Sequence, residues 1–149
     1  MWMSLLLGCA FHVTRAGLVA PTPTTVFLDG YQGGRVALVL DETSAPIRYL
    51  QGCVVEVEGT RTPAGLVVTD WRVKDAGDGS SGFVGVLQAY GARVLLDDRN
   101  TGTTLVLDDQ QAPELRRFAG DPVLIVGTIV GPGQVRVMAW RRLLPEDGK

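Results

Sequence analysis

The chain of 149 residues has one histidine, His12, two cysteines, Cys9 and Cys53, and almost no lysine beside its arginine. A single histidine near the start leaves no Ser-His-Asp set, and no base beside a thiol nucleophile in the rest of the chain. Two cysteines far apart exclude a Cys/His zinc cluster and a framework of several disulfides. No Gly-x-Gly-x-x-Gly or Walker pattern stands at a strand-to-helix turn. Apart from the N-terminal residues, no segment approaches the ~20 apolar residues that cross a bilayer as a helix. Positive charge is not in surplus: the formal net charge is -2. Residues 21–75 carry five basic and seven acidic groups, and residues 82–149 carry eight of each. Neither half has the basic excess that displaces counterions from nucleic acid, although Arg116, Arg117, Arg136, Arg141 and Arg142 could cluster in space. No catalytic residue, metal or cofactor is expected.

What the chain does have is a repeat. Leu38-Val39-Leu40-Asp41 to Ala45-Pro46 returns as Leu105-Val106-Leu107-Asp108 to Ala112-Pro113. A basic-apolar stretch follows each, then a glycine, Gly52 or Gly120. An apolar run closed by Gly59 or Gly127 comes next, and a second run ends on Trp71-Arg72 or Trp140-Arg141. The spacing drifts from 67 to 69 residues, so two single-residue insertions separate the copies. This is duplication of a supersecondary unit.

Beyond residue 25 the runs are short, β-branched and bounded by Gly, Pro or Asp, which predicts strands. In the first copy they are Val26–Leu28, Val36–Leu40, Val54–Val57 and Leu66–Val73. In the second they are Phe83–Tyr90, Arg93–Leu96, Thr103–Leu107, Val123–Val130 and Gln134–Trp140. One short helix per copy is expected after Ala-Pro. Pro113 suits its first turn, Glu114 its positive end, Arg116 and Arg117 its negative end, and Gly120 its stop.

The order strand, strand, strand, short helix, strand, strand resembles the OB-fold, a five-stranded Greek-key barrel. Leu95-Leu96-Asp97-Asp98 through Gly102 resembles its strand 2–3 hairpin. Gly120 followed by Val123–Gly127 resembles its strand 4, and Val135–Trp140 its strand 5. The likeness is closest to small exported bacterial OB domains of the BOF type and covers residues 82–144. The first copy lacks the Asp-x-x-x-Gly hairpin. The expectation is an all-β chain with one or two short helices, made of two tandem OB-like small β-barrel units, the first incomplete.

Met1 to Ala10 resembles the end of a bacterial lipoprotein signal. Leu6 and Gly8 take the −3 and −1 positions of a lipobox, and Cys9 is the residue that would receive lipid. The other reading is an apolar N-terminal strand with a buried cysteine. The expected organisation is a truncated signal over 1–8, a Pro/Thr tether over 9–25, a first repeat over 26–75, a linker over 76–81, a second repeat over 82–144 and a tail over 145–149.

Each candidate site has a plainer reading. Asp75 and Asp78 in a Gly-rich stretch suggest Ca²⁺, but the spaced ligands ending in a bidentate Glu are absent, so a linker is expected. Asp97-Asp98 with Asp108-Asp109 could form a metal or acid/base site, yet adjacent Asp at strand ends favours turn chemistry. Cys53 begins a strand without a base beside it. Trp71 and Trp140, beside Arg72 and Arg141, are candidate stacking platforms for sugars or bases, or plugs of the barrel end. The expected function is a non-catalytic binding or scaffolding module, lipid-anchored through Cys9 in a bacterial envelope, facing the periplasm or cell surface, with a protein partner. The alternative is a ligand reader for an oligosaccharide or single-stranded nucleic acid, the latter disfavoured by charge.

Overall fold

A computed structural model describes residues 12–30, 34–108 and 112–145. Ten strands follow one another: β1 (His12–Pro21), β2 (Val26–Gly30), β3 (Gly34–Val39), β4 (Val54–Thr62), β5 (Gly65–Asp75), β6 (Gly82–Tyr90), β7 (Arg93–Asp98), β8 (Thr104–Leu107), β9 (Pro122–Gly131) and β10 (Gln134–Arg142). A 3-10 turn, Ala45–Tyr49, lies between β3 and β4. In the second copy the matching segment is one α turn, α1 (Ala112–Leu115), continued by a 3-10 turn, Arg116–Phe118. The chain is two tandem all-β units with the same strand connections. Each set of five strands is hydrogen-bonded in a closed cyclic order, β1-β2-β3-β5-β4 in the first and β6-β7-β8-β10-β9 in the second. All neighbours are antiparallel except β3–β5 and β8–β10.

Two expectations need correction. The description as OB-like barrel units with the first incomplete does not hold, because the first unit has as many strands as the second and the same pairing order. Residues 9–25 are not a tether throughout either, since His12–Pro21 forms β1. Its Thr, Pro and Gly content suggests a loop, but it has backbone partners on both sides. It pairs with β2 from Gly17↔Gly30 to Pro21↔Val26, and with β4 from His12↔Thr60 to Leu18↔Val54. Pro21 is its last residue, where a missing N–H is tolerated. The first copy has a hairpin without the Asp-x-x-x-Gly pattern, with β2 and β3 paired from Val26↔Leu38 to Gly30↔Gly34. Cys9 and the signal-like segment lie outside the described residues.

Alternation sets the inward faces, and one irregularity shifts them. Leu66 and Val68 point inward on β5, then Trp71 and Val73. Strict alternation along Leu66–Val73 would place Val67, Thr69, Trp71 and Val73 on one face, and the phase changes because the β4–β5 register slips between Glu58 and Gly59. The second unit repeats the slip between Val137 and Ala139. A bulge of this kind bends a strand sharply. Glycine makes the bend possible: a Cβ on Gly59 would sit 1.9 Å from the Val67 carbonyl oxygen, and one on Gly127 2.2 Å from that of Arg136.

The units share apolar packing at their seam. Val84, Leu124 and Leu143 of the second unit belong to the cluster that holds Cys53, Val55, Trp71 and Val73 of the first. Full burial of a leucine contributes about 1.5–3 kcal/mol, so this seam outweighs the polar contacts around it. Those contacts still fix the angle of docking. The Asn100 amide takes the place of a strand partner for Val73, accepting from its N–H at 3.3 Å and donating to its carbonyl at 3.2 Å. The second unit keeps its own core around Leu87, Leu96, Leu115 and Ile125.

Gly59→Ala and Gly127→Ala should each lose about 1–3 kcal/mol or more in chemical denaturation, as overpacking against backbone does. Gly34→Ala, with no atom within 4 Å of the added methyl, should stay within about 0.5 kcal/mol. A neutral Gly59→Ala would contradict the close crossing of β4 and β5.

The shared seam predicts one unfolding transition, coincident by Trp fluorescence and far-UV circular dichroism. Leu124→Ala should lower the stability of the whole chain by about 2–5 kcal/mol. Two separated transitions in the wild-type chain would show that the seam does not couple the units.

Candidate functional site

The two tryptophans stand at matching places on β5 and β10 and have different surroundings. Trp71 is only 4% exposed. Its indole N–H donates to the Thr43 carbonyl at 3.1 Å, and the Arg99 guanidinium from the second unit covers its ring at 4.6 Å. Arg99 also lies 3.5 Å from Asp70. Trp71 is thus a wall of the seam, with one face already occupied by a cation. Trp140 is half-buried. It packs on Phe118 with ring centres 5.1 Å apart and planes at 46°, and Arg142 lies over the same Phe118 at 4.8 Å.

The arginines diverge for a reason legible in the register. Arg72 faces Glu56 across β4–β5 and is paired with it at 2.6 Å. Its counterpart Arg141 faces Leu124 across β9–β10. Duplication kept the arginine while an apolar residue stands where the carboxylate would be. Arg141 reaches into the first unit, donating to the Gln51 carbonyl at 3.1 Å and lying 3.4 Å from the Cys53 sulfur.

Around Arg141 a groove of about 510 Å³ opens between the units, lined by Arg48, Tyr49, Gln51, Trp140, Arg141 and Arg142, with Leu144 and Pro145 from beyond β10. That volume lies within the range of small-ligand sites, about 300–1,000 Å³. Arg48 is held by the Thr22 carbonyl at 3.0 Å. Arg142 is paired with Asp121 at 2.7 Å. Among the described residues, no ion pair joins Arg48 or Arg141 to a carboxylate. Two guanidinium groups fixed by neutral carbonyls, with a phenol and an indole beside them, can hold an anion by charge-assisted hydrogen bonds and a ring by its apolar face.

On the other side of Trp71 the charges are mutually satisfied. Glu56 meets both Arg72 and Lys74, and Glu58 lies 3.5 Å from His12. A separate groove, of about 450 Å³, is lined by Pro46, Trp71, Val84, Val86 and Pro122 together with Asp97, Asp98 and Arg99.

Of the remaining candidates, Asp75, Asp78 and Asp98 form turns, while Asp97 and Asp108 bond to side chains of neighbouring strands. Asp98, 3% exposed, accepts from the Asn100 N–H at 3.2 Å and the Thr101 hydroxyl at 2.7 Å. Asp97 accepts from Thr104 and from Gln88. Asp108 lies 3.7 Å from Arg136, and Asp109 is outside the described residues. Asp75 accepts from the Gly79 N–H at 3.1 Å and Asp78 from that of Ser80 at 2.9 Å. The bonds from Ser80 hold the Asp78 carboxyl below the usual carboxylate range. No group of three or more metal-ligating side chains occurs among the described residues. Burial pushes the Cys53 thiol up, against the pull of Arg141, which disfavours the thiolate. No helix among the described residues is long and apolar enough to cross a membrane.

Sequence reasoning named Trp140 and Arg141 but left out Arg48, Tyr49 and Gln51. Their signal was the basic-apolar stretch after Ala-Pro. Nothing in the order of residues says that this stretch of the first copy meets the last strand of the second. No protein-family model matches the chain, and no match was found among curated proteins.

Proposed function

We propose that this protein is a non-catalytic binding module whose ligand site is the groove between its two units, and that the ligand is an acidic oligosaccharide. The observation that carries this reading is the Arg141–Leu124 pairing, where the matching pair in the first unit is Arg72–Glu56. A cation with Leu124 at its cross-strand position, set beside Trp140, Tyr49 and Arg48, has guanidinium N–H groups that can meet an anion from outside. A sugar ring offers an apolar face to the aromatic side chains, and a carboxylate on it suits a guanidinium fork. Single-stranded nucleic acid fits less well: the net charge is -2, and one short groove is not the continuous basic track that follows a phosphate backbone.

Titration calorimetry with a uronic-acid oligosaccharide, its neutral counterpart and a single-stranded oligonucleotide tests this reading. The acidic sugar should bind best, and added salt should weaken it. Arg141→Gln should lower affinity roughly tenfold or more, as loss of a charge-assisted hydrogen bond does. Arg72→Gln should change nothing, and Arg142→Gln should do less than Arg141→Gln because Asp121 already neutralises it. Equal binding of the neutral sugar, or full affinity in a folded Arg141→Gln protein, would count against the proposal.

The site in the cell belongs to the same proposal. Leu6-x-Gly8-Cys9 supports a lipid anchor at Cys9 in a bacterial envelope, where each buried CH₂ contributes about 0.8 kcal/mol. Because β1 begins at His12, such an anchor would hold the first unit close to the bilayer. Expressed behind a complete export signal, the wild-type chain should take up labelled fatty acid and sediment with membranes. Cys9→Ala should do neither, and identical partitioning of the two forms would remove the anchor from the proposal.

A further inference from the structure

The turn that carries Arg48 has a duplicate in the second unit. In the first unit the Val19 N–H donates to the Cys53 carbonyl, and the Gly52 N–H donates to the Val19 carbonyl. In the second unit the Leu87 N–H donates to the Asp121 carbonyl, and the Gly120 N–H donates to the Leu87 carbonyl. Each partner is displaced by the same 68 residues, which makes Arg116 the counterpart of Arg48 and Arg117 that of Tyr49. The residues before them, Ile47 and Leu115, are fully buried and anchor the two turns alike.

The way the arginine is held is repeated too. Arg48 donates to the Thr22 carbonyl, in the turn between β1 and β2. Arg116 donates to the Gly91 carbonyl, in the turn between β6 and β7. Both partners are neutral. Arg116 and Arg117 are exposed, and among the described residues no ion pair joins either to a carboxylate. Tyr90, 76% exposed, stands just before Gly91. This second cluster is joined to the groove. Phe118 ends the 3-10 turn of Arg116 and Arg117, and it packs on Trp140, which lines the groove. Arg142 lies over Phe118 with its charge met by Asp121. Positive charge therefore falls in two clusters, Arg48 with Arg141 and Arg116 with Arg117, parted by an aromatic stretch whose charges cancel.

We infer that the ligand is gripped at two places: beyond the groove, a second anion subsite at Arg116 and Arg117, beside Tyr90, holds a later residue of the same acidic sugar chain. The inference rests on the reading of the groove as an acidic-sugar site, and adds that the ligand is a chain of several residues. A guanidinium steadied by a neutral carbonyl keeps further N–H groups for a carboxylate. The neutral stretch between the clusters suits a chain in which uronic acids alternate with neutral sugars, whose apolar ring faces can lie over aromatic side chains. It does not suit a phosphate backbone, which is charged at every unit and follows an unbroken basic groove. Two linked subsites raise affinity because the second contact forms within the complex already made by the first.

Titration calorimetry on the full chain, with a disaccharide and an octasaccharide of alternating uronic acid and neutral sugar, tests this. A long chain offers a single site more registers, so the deciding comparison is between proteins. Arg116→Gln with Arg117→Gln should lower octasaccharide affinity at least about tenfold, as loss of charge-assisted hydrogen bonds does. Disaccharide affinity should stay unchanged, which also shows that this variant is folded. Arg141→Gln should weaken both ligands. Arg15→Gln with Arg61→Gln removes the same charge from exposed positions of the first unit and should change neither. If the disaccharide binds through Arg141 while the octasaccharide ignores the Arg116 and Arg117 substitutions, the second subsite is overturned and the groove reading stands. Failure of both sugars to bind would overturn both. An equal loss from the Arg15 and Arg61 substitutions would reduce the effect to net charge and overturn the subsite. A single-stranded oligonucleotide that binds as tightly as the octasaccharide would overturn the sugar chain as its occupant.

Discussion

The packing of Val84, Leu124 and Leu143 against Cys53, Trp71 and Val73 governs the rest of this molecule. It gives the first unit's core a wall drawn from the second, and it buries Trp71 under Arg99. It also brings the 3-10 turn with Arg48 and Tyr49 to the last strand with Trp140 and Arg141. Without that contact neither unit has a groove of mixed parentage, and the two tryptophans would have like surroundings. The burial is nonspecific in character, but the Asn100 amide, bonded to both backbone groups of Val73, gives it a single orientation.

Duplication followed by docking removes equivalence. Once one copy sits on the other, corresponding residues face different neighbours. Leu124 stands where Glu56 stands in the first copy, because that face of β9 meets the apolar seam, where an ionised carboxylate would lose its hydration. The loss of that carboxylate leaves Arg141 to bond across the seam. Burial explains that change.

Much of the fold was legible in the sequence. The repeat, the β pattern and the short turn after Ala-Pro follow from residue order, because alternation and glycine punctuation act locally. Strand β1 was not legible. His12–Pro21 has the Thr and Pro of a tether, and its strand character comes from β2 and β4 on either side. The phase change in β5 was hidden too, since a bulge is a property of two strands and not of one. Of the groove, Trp140 and Arg141 were visible as a repeated aromatic-basic pair, while Arg48, Tyr49 and Gln51 gained meaning only by proximity.

The sequence by itself determined that the chain is two copies of one all-β unit and that Gly59 and Gly127 close equivalent apolar runs. These are local or repeated features, and each is written in a few neighbouring residues. The tertiary structure decided which tryptophan is covered and which arginine faces an apolar residue across its strand pair. Those outcomes depend on contacts between residues far apart in the chain, such as Arg141 and Gln51. They are set by how one unit docks on the other, and the order of residues in each copy does not state that.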